Sequence, residues 1–168
     1  MAAAATYEPI ATTTLGSNTA SYTFSSIPST YTDLVLVVNG QVSSSVTVSC
    51  QVNGDTATNY STTELFGDGT TASSFRSSTN AQIAVMGIGA QVGSGTIWTS
   101  TLHFQNYSNT TTYKTVLGRT SASATGINVI AGLWRSTSAI NSIKILGYAG
   151  ASGFTTGTTF TLYGIAAA

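Results

Sequence analysis

Apolar and polar residues alternate along much of this chain with a period of two, the pattern of strands that bury one face. Tyr22 and Phe24 alternate with Thr23 and Ser25. Val46, Val48, Cys50 and Val52 point one way, and Thr47, Ser49 and Gln51 the other. Trp98, Leu102 and Phe104 share a face opposite Thr99, Thr101 and His103. Leu34-Val35-Leu36-Val37-Val38 is apolar throughout, as in a strand covered on both faces. Further strands are expected at 81–88, 114–119, 127–134, 140–146 and 158–165. No stretch repeats apolar residues at i, i+3, i+4 and i+7 over three turns, so helices are not expected. The same pattern assigns Phe24, Leu36, Trp98, Leu102, Trp134 and Leu162 to the core.

Turn residues separate these segments. Asn39-Gly40 suits a type I′ hairpin. Asn53-Gly54-Asp55, Gly67-Asp68-Gly69 and Gly93-Ser94-Gly95 mark further turns. Pro28 closes the Phe24 strand and Gly153 breaks the chain before the last one. Eight or nine short strands at this spacing predict an all-β fold, an antiparallel β-sandwich of jelly-roll-like type. The stretch from Asp55 to Asn80 is polar and weakly periodic. It reads as a long loop with one short strand near Glu64-Leu65-Phe66, and so as a candidate contact surface. Residues 1–12 read as a small-residue N-terminal arm and 13–168 as one sandwich domain. The first residues, Met1 to Thr6, lack the charged and long apolar regions of a signal peptide.

Composition narrows the function. Only 6% of residues are charged, against about 25% in a typical soluble domain, and the formal net charge is zero. Hydrophobic residues reach 42%, enough to support a core. A neutral, Thr-rich surface suits packing against copies of itself or a partner. Arg76, Lys114, Arg119, Arg135 and Lys144 are scattered, so no nucleic-acid partner is expected. No apolar run approaches the ~20 residues of a membrane-spanning helix, and no membrane partner is expected. Arg135, beside Trp134, is a candidate partner for a carboxylate at a subunit boundary.

The sequence offers little chemistry. Cys50 is the only cysteine and sits in an apolar alternation, so it reads as a core residue and not a reactive thiol. His103, the only histidine, falls on the polar side of its strand as a surface or interface residue. Glu64 and Asp68 would serve as an acid/base pair only on facing walls of a cleft. Asp55 and Asp68 with loop carbonyls would bind calcium only if they converged, and His103 would hold a metal only in copies around a three-fold axis. Gly87-Ile88-Gly89-Ala90-Gln91-Val92-Gly93 lacks the spacing and the helix of a dinucleotide fingerprint. Asn59-Tyr60-Ser61, Asn106-Tyr107-Ser108 and Asn109-Thr110-Thr111 match the N-glycosylation pattern, as chance allows in a chain so rich in Ser and Thr. Tyr60, Tyr107, Tyr113 and Tyr148 fall near loops, either to pack over the sandwich ends or to stack on sugars or anchor an interface. No catalytic, cofactor-binding or metal-binding residue is assigned, no cofactor is expected, and the chain does not read as an enzyme.

Five stretches together carry a resemblance: LGSNTASYTFSSIPSTYTDLVLVV (15–38), NGDTATNYSTTELFGDG (53–69), LHFQNYSNTTTYKTVLGR (102–119), GLWRSTSAINSIKI (132–145) and GTTFTLYGI (157–165). In order and spacing they resemble small structural proteins of tailed phages, including cyanophages and other aquatic phages, of the virion, tail-fibre-like or capsid-decoration type. The resemblance implies a jelly-roll-like sandwich, a homotrimer and a place on the exterior of a phage particle assembled in the host cytoplasm. It carries over no catalytic residue. The leading expectation is a capsid decoration (cement) protein whose trimers bind the major capsid protein. The alternative is a tail-fibre or head-fibre tip module that binds host surface glycans.

Overall fold

The computed structural model describes residues 6–86, 91–147 and 153–166. It contains twelve strands: β1 (Tyr7–Thr14), β2 (Ser21–Phe24), β3 (Asp33–Gly40), β4 (Val48–Val52), β5 (Tyr60–Gly67), β6 (Ala72–Asn80), β7 (Ile83–Met86), β8 (Trp98–Gln105), β9 (Lys114–Ala122), β10 (Gly126–Trp134), β11 (Ile143–Gly147) and β12 (Thr159–Ile165). Among the described residues there is no helix. The strands form a large sheet in the order β1-β12-β3-β8-β9-β10-β5-β6 and a small one in the order β2-β11-β4-β7. Every pairing is antiparallel. The two sheets enclose one core, which makes the chain an all-β, jelly-roll-like antiparallel sandwich.

The period-two reading holds where one face of a strand packs on the core and the other faces outward. Trp98, Ser100, Leu102 and Phe104 of β8 are buried, and the residues between them are not. Strand β9 alternates buried and exposed over its whole length. Phe24, Leu36, Trp98, Leu102, Trp134 and Leu162 are all buried, and Cys50 lies among them. Burial pushes the Cys50 thiol above its usual range, which leaves it a core side chain.

Several expectations change. The described residues hold twelve strands rather than eight or nine, because β1, β5 and β6 lie where little alternation was visible. The arm assigned to residues 1–12 is a strand from Tyr7 onward, paired with β12 from Tyr7↔Ile165 to Thr14↔Thr159. Its residues are only half covered, so they need no apolar pattern. The long loop expected over 55–80 is instead the β5–β6 hairpin. The Gly67-Asp68-Gly69 turn joins it, with Asp68 Oδ1 accepting the Thr70 and Thr71 N–H groups and Gly69 at positive φ.

Asn39-Gly40 makes no hairpin; both residues end β3, which pairs with β8 and β12. Gly40 is required there by a close approach, since a Cβ would lie 2.3 Å from the Thr158 hydroxyl. The type I′ geometry appears at Asn53-Gly54, where both φ angles are positive (53° and 66°) and Asp55 N bonds Val52 O at 3.0 Å. That turn carries the chain from the small sheet into the large one. The strand expected at 81–88 is β7, and Gly87 and Ile88 lie outside the described residues. Within the chain, the Arg135 guanidinium donates to the carbonyls of Tyr60 (3.3 Å) and Ser78 (2.7 Å), tying the end of β10 to the outer hairpin.

Candidate functional site

The candidate chemistry of the sequence does not converge. Glu64 faces the core of the large sheet, fully buried, and accepts the amide of Asn128. Asp68 sits exposed in the hairpin turn. The two therefore do not face each other across a cleft. Asp55 lies before β5 and Asp68 after it, so an eight-residue strand, about 26 Å at 3.3 Å per residue, holds them apart. Asp55 is instead a hub of hydrogen bonds: it accepts Trp134 Nε1 (2.7 Å), Asn59 Nδ2 (2.9 Å) and Ala57 N (2.8 Å). Partial burial acts to raise its pKa, but the bonds from Asn59, Trp134 and Ala57 outweigh it and hold the carboxyl below its ordinary value. No group of three or more His, Cys, Asp or Glu side chains is placed to hold a metal among the described residues.

The loop tyrosines divide. Tyr60 and Tyr107 are fully buried. The Tyr60 hydroxyl bonds Val52 O and Asp55 O, and that of Tyr107 bonds Pro28 O, so both cap the sandwich ends. Tyr113 is exposed, and Tyr148 lies outside the described residues. The glycosylation-like asparagines build turns: Asn109 Oδ1 accepts from Thr111 and Thr112, and Asn106 has positive φ. Of the fingerprint-like glycine segment, Gly87 to Ala90 lie outside the described residues. Lys114 is buried and donates to the Thr112 and Thr137 carbonyls (2.7 and 3.1 Å); desolvation lowers its pKa.

What remains is the outer face of the large sheet. The registers place Val129 directly opposite Leu65 on β5 and Arg119 on β9. Leu117 lies diagonal to Val129, and Ile127 two residues along the same strand. These four aliphatic side chains are 48–59% exposed and contiguous. A fifth exposed residue of the face, Tyr7, comes from the edge strand β1.

Tyr7 lines one hollow of about 380 Å³ with Val35, His103, Leu117, Arg119 and Val129. A hollow shared by the first and sixth strands of the sheet requires the sheet to curl toward its outer side. His103 Nε2 lies 2.9 Å from Asp33 Oδ2, and the other Asp33 oxygen accepts Asn106 N at 2.7 Å. The sole histidine is thus a surface residue oriented by a carboxylate. Arg119 and Arg76 reach no carboxylate of the described residues. A second hollow, about 290 Å³ between Gly40, Ile97 and the 155–159 segment, carries no titratable side chain.

The sequence reading did not single out this face. The available signal was β10, Ile127-Asn128-Val129-Ile130-Ala131-Gly132-Leu133-Trp134, where apolar residues fall at both parities. Only one parity is buried, so the other had to be an exposed apolar row.

No family model matches the sequence, and no curated protein matches it. Among solved structures, a single-residue variant of congerin II is 14% identical, with 84% of this chain and 98% of that one covered at a TM-score of 0.38. The Caenorhabditis elegans galectin LEC-6 is 9% identical, with 89% and 94% covered at a TM-score of 0.39. The alginate lyase Aly36B, in complex with alginate tetrasaccharide, is 8% identical, with 79% and 69% covered at a TM-score of 0.29.

Proposed function

We propose that the chain is a non-catalytic structural component of a phage virion, a capsid decoration protein that works by adhesion to the assembled head. The contiguous apolar patch of Leu65, Leu117, Ile127 and Val129 on the outer face carries this reading. Four large aliphatic side chains held in water on adjacent rigid strands favour a partner surface, because each Å² of apolar area taken out of water stabilises the contact by about 25 cal/mol. Threonines and serines surround the patch; on the strands that form it Glu64 and Lys114 are buried, which leaves Arg119, with Arg76 on the neighbouring β6, as the charge near it. Association therefore meets little desolvation cost from ions. A protein that binds only the assembled shell stabilises it by mass action, and many symmetric copies add avidity.

The test is to strip the protein from particles, add back wild type or the Leu117→Asp/Val129→Asp variant, and heat the heads. Wild type is expected to raise the capsid melting temperature. The variant, folded by circular dichroism, is expected to bind at least a hundredfold more weakly and to leave melting at its stripped value. Heads that melt alike with and without wild type would remove the proposal.

The hollow supports a second reading, a fibre-tip module that binds host glycans. An exposed Tyr7 ring, an oriented imidazole and an unpaired guanidinium can meet the apolar and hydroxyl faces of a sugar. Glycan-array binding that Tyr7→Ala or Arg119→Ala abolishes would favour this reading over decoration.

A further inference from the structure

The two sheets present four edges, and three of them carry the features that block strand addition. Strands β2 and β7, the edges of the small sheet, are four residues long. Strand β1 contains Pro9 and a register shift between Pro9 and Ala11. Strand β6 differs: it is nine residues long and contains no proline. It pairs regularly with β5 from Thr62↔Ser77 to Gly67↔Ala72, with its one irregularity at the far end. Its only charge is Arg76.

No residue of β6 is buried, and Phe75, on the core side, is only half covered. Beyond β5, the backbone of residues 72–77 makes no hydrogen bond among the described residues; only the Ser78 carbonyl is taken, by Arg135. One side of a long, regular strand thus presents donors and acceptors without protein partners.

We infer that β6 pairs antiparallel with β6 of a second copy about a two-fold axis at Ser74, joining two eight-stranded sheets into one. The charge pattern selects a second copy as the occupant. With the axis at Ser74, Arg76 of one chain stands opposite Ala72 of the other, beside the Gly67–Thr71 turn that displays Asp68. Each Arg76 then faces the partner turn's acid, and symmetry repeats the contact. Like charges stay apart, with the two arginines four positions out of register. The two Phe75 rings lie diagonal across the axis, within aromatic reach, and each covers the other's open side. Small serines at positions 73, 74 and 77 put no bulk in the way. Pairing β6 with the partner's β1 would instead meet Pro9 and the bulge. An isologous edge contact closes at two copies, so this assembly differs from the trimer that the sequence resemblance implied. It depends on β6 alone and not on what the outer face binds.

Cross-linking tests it cleanly, because Cys50 is fully buried and an introduced cysteine is the only accessible thiol. Single variants Ser73→Cys, Ser74→Cys and Ser77→Cys on β6, with Ser121→Cys on the outer face as control, are oxidised and run without reductant, and the untagged wild type is sedimented over a concentration series. The wild type is expected to sediment as a dimer. Disulfide-linked dimer is expected to peak at Ser74→Cys and to fall to the control level at Ser77→Cys. Arg76→Glu, an exposed change that should leave the fold intact, is expected to weaken the dimer about tenfold. A monomer or trimer at all concentrations, cross-linking no stronger on β6 than at Ser121→Cys, or a dimer indifferent to Arg76→Glu would overturn the inference.

Discussion

Trp134→Ala is expected to lower folding stability by about 3–5 kcal/mol, read as a shift in the urea midpoint at pH 7. Trp134 ends β10, buried, with its ring stacked on Tyr60 at a centroid distance of 6.4 Å. Its Nε1 donates to Asp55, the carboxylate that also gathers Asn59 and Ala57. Alanine would remove the ring from the core and one donor from Asp55. Trp134→Phe helps to separate the two effects: it keeps an aromatic ring on Tyr60, loses the donor and a smaller part of the ring volume, and is expected to cost about 1–2 kcal/mol.

The pH dependence identifies the donor's part. The folded pKa of Asp55 lies below its ordinary value. Its contribution is therefore fully present above the unfolded pKa of about 3.9 and is lost as pH falls through the folded one. Trp134→Phe should make that acid-side loss smaller, whereas a pure packing effect would leave the pH profile parallel to wild type. A cost under ~0.5 kcal/mol for Trp134→Ala would contradict the burial of the ring.

The strands that the sequence disclosed are the ones that bury a face. In β8 and β12 most inward residues are large and apolar (Trp98, Leu102, Phe104, Phe160, Leu162), and most outward ones are Thr, His or Tyr, so the pleat is written into the side chains. Strand β6 carries no such message: Ala72-Ser73-Ser74-Phe75-Arg76-Ser77 lies at an edge where neither face is fully covered. Its strand state comes from backbone pairing with β5, a tertiary effect that local composition does not reveal. Strand β1 is hidden for the same reason. The Asn39-Gly40 misreading has a related cause. A glycine after an asparagine fits a turn locally, but here Thr158 crowds the backbone and excludes any side chain.

The candidate surface was harder to read than the fold. The residues that look chemical in isolation have structural work: Glu64 bonds Asn128 inside the sheet, Asp55 anchors Trp134, and Tyr60 and Tyr107 cap the ends. The residues that form the outer patch are ordinary aliphatics, and Leu65, Leu117 and Val129 are far apart in sequence. Only the registers β9–β10 and β10–β5 bring them together. A one-residue slip would turn all of them inward, so their exposure is a property of pairing and not of any motif.

Phe154→Ala is the other large effect, expected at about 3–5 kcal/mol, with Phe154→Leu held to about 1.5 kcal/mol because most of the volume is retained. Phe154 lies outside every strand, yet it is buried and bridges two segments, with isolated pairings to Thr19 and Val42. Its ring meets Phe160 edge-on at 5.1 Å and Trp98 at 6.2 Å, and Phe160 stacks on Tyr22 at 5.0 Å. Tyr22 in turn meets Phe24. This chain of rings runs from β8 and β12 of the large sheet to β2 of the small one, and Phe154 joins it from outside the described strands. Removing its ring should also loosen the backbone around it. The Ser43 N–H bond to Gly153 O and the Thr155 N–H bond to Gln41 O would exchange faster in deuterium, while the β9–β10 amides would keep their relative protection. A uniform loss of protection would mean that Phe154 stabilises the whole core evenly. Local loss at Ser43 and Thr155 would mark it as the side chain that fastens these segments.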